Sequence, residues 1–136
     1  MSLEQVKEII RDAGLGYLAT VENGQPRVRP MMPAMFHDGT ILAATAKGTP
    51  KLKQIEKNNA FEICFVDKKL SQVRIQGKVS MNNDIKKKEW LSNAVPMLRS
   101  YFPKADDPNF MLLVLQPIKI LLINVGEQQY EEVPIG

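Results

Sequence analysis

The segment from Gln72 to Met81 alternates between polar and apolar side chains, and this pattern constrains the fold more than any other in the chain. Its apolar members are Val73, Ile75, Val79 and Met81, and its polar members are Gln72, Arg74, Gln76 and Lys78. Successive side chains of a strand point to opposite faces of a sheet. The segment is therefore predicted to be a strand with one face in the core and the other outside it.

Turn and proline signals place the neighbouring strands. Residues 16–21 form a short, mostly apolar run, and the Asn23-Gly24 pair after it is a strong signal of a two-residue hairpin. The returning strand, residues 26–36, contains Pro30 and Pro33, which cannot donate ladder hydrogen bonds. We therefore expect this strand to bulge or to lie at an exposed edge.

Helix signals separate the other strands. Ser2 is predicted to cap a first helix that ends at Gly14, and Asn82 or Asn83 to cap a later helix that runs through Leu91. A short basic helix is expected over residues 49–58 and a further helical piece over 95–101. The remaining strands are predicted at residues 40–45, 61–66 and 110–125, the last interrupted at Pro117.

The order of these elements favours hairpins over regular βαβ units, which disfavours a doubly wound parallel sheet. About six antiparallel strands with helices at their flanks are typical of a small closed or partly split barrel. We predict a mainly β (α+β) fold, a six-stranded antiparallel split β-barrel with flanking helices, formed by residues 1–136 as a single domain.

Composition narrows the functional classes. The chain has 136 residues, of which 44% are hydrophobic and 24% charged, as in ordinary globular proteins, and no apolar run is long enough to cross a bilayer. A single cysteine, Cys64, cannot form an internal disulfide, and with no signal pattern present the chain is expected to be cytoplasmic. Cysteines and histidines are too few for a zinc site, so metal chemistry is not expected.

The clearest candidate site follows the predicted strand at residues 40–45. Pro50 suits a first helical position, because it has no N–H group to leave unpaired. Thr49 and Lys51 then lie beside the unpaired backbone N–H groups and the positive end of the helix dipole. A hydroxyl, an ammonium and free amides at one point are what a phosphate group needs. The same two residues could equally cap and solubilise a helix, and the residues alone leave both interpretations open.

Several other polar and aromatic residues have ordinary structural interpretations. Arg27 and Arg29 alternate to one face of the predicted edge strand, where they are either exposed charges that block aggregation or include a ligand contact. The sequence does not decide between the two arginines. His37 is expected in a turn, Cys64 as a small buried hydrophobic residue, and Trp90 as a packing anchor.

Three segments occur in an order and spacing that one known family shares. The first joins the run from Gly16 to residues 26–32, Pro-Arg-Val-Arg-Pro-Met-Met, and the second is residues 45–59 with its hydroxyl-x-Lys pattern. The third runs from Trp90 through Tyr-Phe-Pro to Asp-Asp-Pro at residues 106–108. Together they resemble the FMN-binding split barrels related to pyridoxamine 5′-phosphate oxidase, in particular their short general-stress-protein-like branch.

The resemblance implies a homodimer with two FMN molecules at the subunit interface. In that family the hydroxyl-x-Lys segment binds the flavin phosphate, so Thr49 and Lys51 would hold the phosphate here. Thr45 would lie nearby, at the end of its strand.

The resemblance also implies contacts to the flavin ring. Arg29 would add a second cation and is the best candidate to stabilise the anionic reduced flavin. Pro30, Met31 and Met32 would pass the ring and offer backbone groups to its polar edge. Gln72 matches a family position that touches the flavin from the partner subunit.

The chain departs from the classical oxidases of this family at two places. Pro50 stands where they carry an arginine just before the phosphate-binding lysine. Residues 124–136 are acidic and contain no arginine, whereas the classical enzymes use an arginine-rich end to grip the phosphate of their vitamin substrate. True pyridoxamine-phosphate oxidase activity is therefore not expected. No catalytic residue is assigned, because a flavin performs the redox chemistry itself.

Three functions follow from these observations. The first is an FMN-dependent oxidoreductase that passes hydride or electrons between a reduced nicotinamide, NAD(P)H, and an unidentified small molecule. The alternative is a non-catalytic binding or stress-response protein on the same barrel, holding FMN, a deazaflavin or haem. A nucleic-acid-binding barrel is suggested only by the basic character of the chain, whose net charge is +3. Its basic strands lack the interleaved aromatic residues that stack on bases, so no nucleic-acid partner is expected.

Overall fold

The computed structural model describes residues 2–135, apart from the side chains of Lys51 and Gln54. Helix α1 spans Leu3–Ala13, α2 spans Pro50–Lys57 and α3 spans Ile85–Ala94, followed by a 3₁₀ helix over Pro96–Ser100. The strands are β1 (Gly16–Glu22), β2 (Gln25–Met31), β3 (Ala34–Met35), β4 (Ile41–Ala46), β5 (Ala60–Val66), β6 (Gln72–Asn82), β7 (Phe110–Ile123) and β8 (Glu131–Val133). They pair antiparallel in the order β2-β1-β5-β6-β7-β4-β3, and β8 adds to β7.

The two ends of this sheet are joined by the chain itself. Only Met32 and Pro33 separate β2 from β3, so Met31 and Ala34 lie at most about 11 Å apart at 3.8 Å per residue. The sheet must therefore curl into a barrel. The predicted mainly β split barrel with flanking helices is confirmed, although the strands number eight among the described residues rather than six.

The two additional strands have simple causes. The strand predicted over residues 26–36 is divided into β2 and β3 around Pro33, which has no N–H group for the ladder. As expected from its prolines, β2 is an edge strand, since it pairs only with β1. The short strand β8 lies in a polar segment without apolar alternation, so no sequence pattern indicated it.

The interruption predicted at Pro117 is wrong, because β7 continues through this residue. Gly77 of β6 lies opposite Pro117, whereas Gln76 lies opposite Lys119, so the register shifts by one residue of β7 at this point. The extra residue, Ile118, is exposed. A β-bulge thus accommodates the proline within a continuous strand.

The helix caps were predicted with mixed success. At α1 the Ser2 hydroxyl accepts from the Gln5 N–H at 3.4 Å, and Gly14 ends the helix with φ +75°, as expected. The expected cap of α3 at Asn82 or Asn83 is wrong, because Asp84 accepts from the first backbone N–H groups of that helix. Asn and Asp can both cap a helix, and the carboxylate of Asp is favoured by the positive end of the dipole.

The apolar side chains form two clusters. The first fills the barrel and includes residues of α1 and α2, namely Val6, Ile9, Ile10, Leu52 and Ile55. The second lies outside the barrel, where α3 and the 3₁₀ helix cover β4 and β7; it contains Leu42, Leu91, Leu98, Phe102, Phe110 and Leu112. The outer face of β1, β2 and β5 is different, since Tyr17, Val28 and Val66 remain 46%, 67% and 37% exposed.

Candidate functional site

One end of the barrel collects the segment predicted to bind phosphate. Because the strands are antiparallel, the C-terminal ends of β1, β4 and β6 lie at the same end as the N-terminal ends of β2, β5 and β7. Helix α2 follows β4 at this end and packs Leu52 and Ile55 into the barrel core. Thr20 on β1, Thr45 on β4 and Thr49 before α2 are therefore brought to one end of the barrel.

The start of α2 has the features expected of an anion site. Pro50 is its first residue, and no acidic side chain lies in its first turn. The Thr49 hydroxyl oxygen is buried and has no hydrogen-bond partner among the residues that the structure describes. A buried hydroxyl left unpaired costs about 1–3 kcal/mol, and an anionic group at this point would remove that cost. The side chain of Lys51 lies outside the described residues, so its role stays a prediction.

The structure distinguishes the two arginines that the sequence left equivalent. Arg29 donates from Nη1 to the Thr20 hydroxyl at 2.6 Å, and Thr20 is only 2% exposed. Burial lowers the pKa of the Arg29 guanidinium, nearby Arg27 lowers it further, and Glu22 opposes them. Arg27 instead pairs with Glu22 at 3.5 Å near the surface, with 56% of its side chain exposed. Arg29 is thus the arginine held against the inner wall of the barrel.

Thr20 is a member of this group that the sequence analysis missed. It lies on the inward face of β1, which it shares with the buried Leu18 and Gly16. The sequence does hold a signal for it, since Thr20 is a polar residue that alternates to the same face as Gly16 and Leu18. Buried hydroxyls are normally hydrogen-bonded, so a hydroxyl at an inward position indicates a polar contact inside the barrel. Its hydroxyl accepts from Arg29 and so fixes the position of that guanidinium.

Pro30, Met31 and Met32, which the resemblance places along the flavin ring, lie at or just after the C-terminal end of β2. Their side chains face different ways. Pro30 is exposed, Met31 packs in the barrel core at 7% exposure, and Met32 is half-buried against the outer cluster. The Met31 side chain is therefore used in the core, so that only its backbone is available to a ligand. The eight predicted cofactor residues do not form one compact cluster within a single chain.

Gln72 lies far from Thr45 along the sheet. On β7 its partner is Ile123, whereas the partner of Thr45 is Met111. Nearly the full length of β7 separates them, about 40 Å along the strand at about 3.3 Å per residue. One protomer alone does not bring Gln72 to the start of α2.

Gln72 belongs to a small polar cluster on the outer face of the sheet. Its side-chain oxygen accepts from the Tyr130 hydroxyl at 2.8 Å. The Arg74 guanidinium carbon lies 4.5 Å from the centre of the Tyr130 ring, a cation–π contact. Tyr130 was not singled out from the sequence, because it stands in the acidic segment that precedes β8 and only the tertiary fold places it beside Gln72.

Two cavities lie elsewhere on the chain, one beside the β2–β3 link and one beside α2. A groove of about 320 Å³ lies between α1, the β2–β3 link and the α3–3₁₀ segment, and Met32 is among its lining residues. A second cavity of about 300 Å³ lies between the β1–β2 turn and α2, lined by Glu22, Asn23, Lys53 and Lys57 among others.

Within the described part of the chain, no group of three or more His, Cys, Asp or Glu residues could hold a metal ion. None of the described helices is long and apolar enough to cross a bilayer.

Cys64 lies half-buried on the outer face of β5, so the expectation of a small buried residue holds only in part. Burial raises the pKa of its thiol, Arg74 opposes this shift, and Glu62 adds to it. The thiolate is the reactive form, and it is scarce below the pKa.

We therefore expect iodoacetamide to alkylate Cys64 more slowly at neutral pH than it alkylates a free cysteine, with a rate that rises steeply only in alkaline solution. Mass spectrometry against time over a pH series measures these rates. The same chain unfolded in urea is the control and should follow the ordinary profile of a thiol. Rapid labelling of the folded chain at neutral pH would contradict the raised pKa.

Comparisons with known proteins show which family and which fold this chain shares. The family described as pyridoxamine 5′-phosphate oxidase matches residues 2–124. General stress protein 26 of Bacillus subtilis (strain 168) is 36% identical over 135 residues, covering 92% of this chain and 90% of that protein.

Solved structures share the fold. A nimC/nimA family protein from Clostridium acetobutylicum superposes with a TM-score of 0.82 at 27% identity, covering 96% of this chain and 90% of that one. A pyridoxamine 5′-phosphate oxidase-related, FMN-binding protein from Nostoc punctiforme gives a TM-score of 0.73 at 20% identity, over 95% and 87% of the two chains. At that lower identity the likeness concerns the fold alone.

Proposed function

The chain belongs to the pyridoxamine 5′-phosphate oxidase family, and from this premise we propose that it is a cytoplasmic FMN-binding homodimer that acts as an oxidoreductase. It would pass hydride or electrons between NAD(P)H and a small organic molecule. The observation that carries the proposal is the buried, unpartnered Thr49 hydroxyl at the start of α2. That hydroxyl lies in the segment where the family binds the flavin phosphate. A neighbour with the same fold is described as FMN-binding.

The phosphate of FMN would be held at the start of α2. Thr49 supplies a hydroxyl, Lys51 a positive charge, and the first turn its backbone N–H groups, with Thr45 close by at the end of β4. No acidic residue of that turn competes for these donors. Charge-assisted hydrogen bonds are about twice as strong as neutral ones, so this contact is expected to dominate the affinity.

Arg29 would supply positive charge beside the ring. When bound, FMN provides the redox chemistry, and the chain orients it and stabilises charge. The hydrogen bond from Arg29 to Thr20 holds the guanidinium in place before any ligand arrives. A charged contact of this kind in a partly buried site contributes on the order of 1–3 kcal/mol.

The position of Gln72 and the exposed sheet face beside it support the proposed homodimer. Gln72 lies too far along β7 to reach the start of α2 of its own chain, so its predicted flavin contact requires a second copy. The outer face that bears it continues across β5 and β1 to β2, where Tyr17, Val28 and Val66 are exposed. Exposed apolar patches of this kind are typical of protein interfaces.

The substrate is expected to differ from pyridoxamine phosphate. The arginine that precedes the phosphate-binding lysine in classical oxidases is replaced by Pro50, which begins α2. Residues 124–136 carry no arginine, and in the structure Tyr130 of this segment packs on Gln72 and Arg74 instead. A second phosphate would therefore have little to bind it there.

The purified full-length chain is expected to elute as a dimer and to bind FMN, with a shifted flavin absorbance band and quenched flavin fluorescence. Riboflavin, which lacks the phosphate, should bind far more weakly. Anaerobic addition of NADH or NADPH should bleach the bound flavin. A chain that leaves the spectrum of added FMN unchanged would refute the proposal, and a red, haem-loaded chain would do the same. Tightly bound FMN that neither nicotinamide reduces would favour the non-catalytic alternative.

A further inference from the structure

The groove between α1, the β2–β3 link and the α3–3₁₀ segment is built for a small organic molecule. Its volume of about 320 Å³ is near the lower end of the range for small-molecule sites, about 300–1,000 Å³. Much of its wall is apolar and includes Ile10, Met32, Trp90 and Met97. Met97 is 60% exposed although its side chain is apolar, so this wall is open to a ligand.

The charged residues of the groove all have one sign. Lys7 and Arg11, one turn apart on α1, line it, and no acidic residue is among its described lining residues. The Lys7 Nζ lies 3.5 Å from the carboxylate of Glu4, whose side chain is 78% exposed, and an ion pair with so exposed a partner contributes little. The side chain of Arg11 makes no ion pair or hydrogen bond within the part of the chain that the structure describes. The groove therefore offers two cations to a ligand.

We propose that this groove binds a small aromatic carboxylate. Its ring would contact Trp90 and the methionines, because thioether sulfur and indole both interact favourably with aromatic rings. Its carboxylate would lie at Lys7 and Arg11, and the planar guanidinium fork matches a carboxylate in two-point geometry. This inference goes beyond the flavin chemistry. Met32 is also predicted to pass the flavin ring, but Lys7, Arg11, Trp90 and Met97 are not, and all of these groove residues belong to one chain, so the site is tested without FMN.

Trp90 makes the proposal directly measurable, because it is the only tryptophan in the chain. We expect 3-phenylpropionate to change Trp90 fluorescence saturably when the full-length chain is excited at the red edge of the indole band, without FMN. The neutral analogue 3-phenylpropionamide should bind about tenfold more weakly. The affinity for the acid should fall as salt is added, because salt screens the attraction between the carboxylate and the two cations.

Two variants separate the charged from the apolar part of the site. Arg11→Gln should weaken binding of the acid about tenfold and leave the amide unchanged, whereas Met97→Ala should weaken both. Lys104→Gln removes the same charge from an exposed position outside the groove and should change neither. Circular dichroism checks that each variant folds.

Two results would overturn the proposal. One is the absence of any saturable fluorescence change at millimolar acid; the other is equal affinity for acid and amide, with no effect of Arg11→Gln. Because the readout needs no FMN, failure of the flavin proposal would leave this result standing, and the reverse is also true.

Discussion

Replacing Thr49 and Lys51 together by alanine is expected to weaken FMN binding by about a hundredfold or more. Each substitution removes one hydrogen-bonding partner of the phosphate, and bonds to charged groups contribute about 1.5–3 kcal/mol each, with a tenfold loss for every 1.4 kcal/mol. Quenching of flavin fluorescence during titration with FMN measures the affinity.

The folded chain without FMN should tolerate this change. The Thr49 hydroxyl is buried without a partner among the described residues, so no helix-capping hydrogen bond is lost with it. The free energy of unfolding in urea should therefore stay equal to that of the unchanged chain or rise slightly, because an unsatisfied buried group disappears. A loss of affinity at constant stability separates a ligand contact from a structural role.

Lys53→Ala is the matched control for this experiment. It removes a positive charge from the same helix, at an exposed position two residues beyond Lys51. Its effect on FMN affinity should be smaller, since the charge of an exposed side chain that makes no direct contact with the phosphate is weakened by solvent and salt. Riboflavin should bind the double variant and the unchanged chain equally. Undiminished FMN affinity in the double variant would remove the phosphate site from this part of the chain.

Gly77→Ala is expected to destabilise the fold by about 3 kcal/mol or more, at the upper end of overpacking effects. A Cβ atom at Gly77 would lie 1.9 Å from the Gln116 carbonyl oxygen and 2.9 Å from its carbonyl carbon. These are backbone atoms of β7, so no side-chain rotation can relieve the clash. The bulge that accommodates Pro117 would have to be rebuilt, with a change of register between β6 and β7.

Gly16→Ala serves as the comparison for this prediction. The three atoms nearest to its Cβ would all be side-chain atoms, of Phe65 and Ile63, which can shift by small rotations. A cost of about 1–3 kcal/mol is therefore expected there. The denaturant midpoints of the two variants and of the unchanged chain show which substitution destabilises the fold more. A midpoint for Gly77→Ala equal to that of the unchanged chain would mean that β6 and β7 do not pair in the register described.

The parts of the candidate FMN site that lie close together in the sequence could be predicted from it. Thr49, Pro50 and the start of α2 follow β4 directly, so a strand, a turn and a helix signal sufficed to propose an anion site there. Arg29 could not be separated from Arg27, because both alternate to one face of β2. The choice depended on two residues of the neighbouring strand, because Thr20 accepts a hydrogen bond from Arg29 whereas Glu22 forms an ion pair with Arg27.

The remaining site features are long-range. The positions of Gln72 and Tyr130 relative to the start of α2 depend on how β6 and β7 pair along their whole length. The groove beside Trp90 joins α1 to α3, elements far apart in sequence. Charge and polarity at single positions carry no information on such distances.

The amino-acid sequence by itself determined the strands with alternating side chains, the Asn23-Gly24 hairpin, the cap of α1 and the barrel class. These depend on backbone preferences and side-chain periodicity within a few residues, and such preferences act in any surroundings. Only the tertiary structure decided that β7 continues through Pro117, that Asp84 rather than its neighbours caps α3, and that Gln72 lies away from Thr49. These features depend on strand register and on packing between segments that are distant in the sequence. Several local conformations have nearly equal free energy there, and contacts across the sheet select one of them.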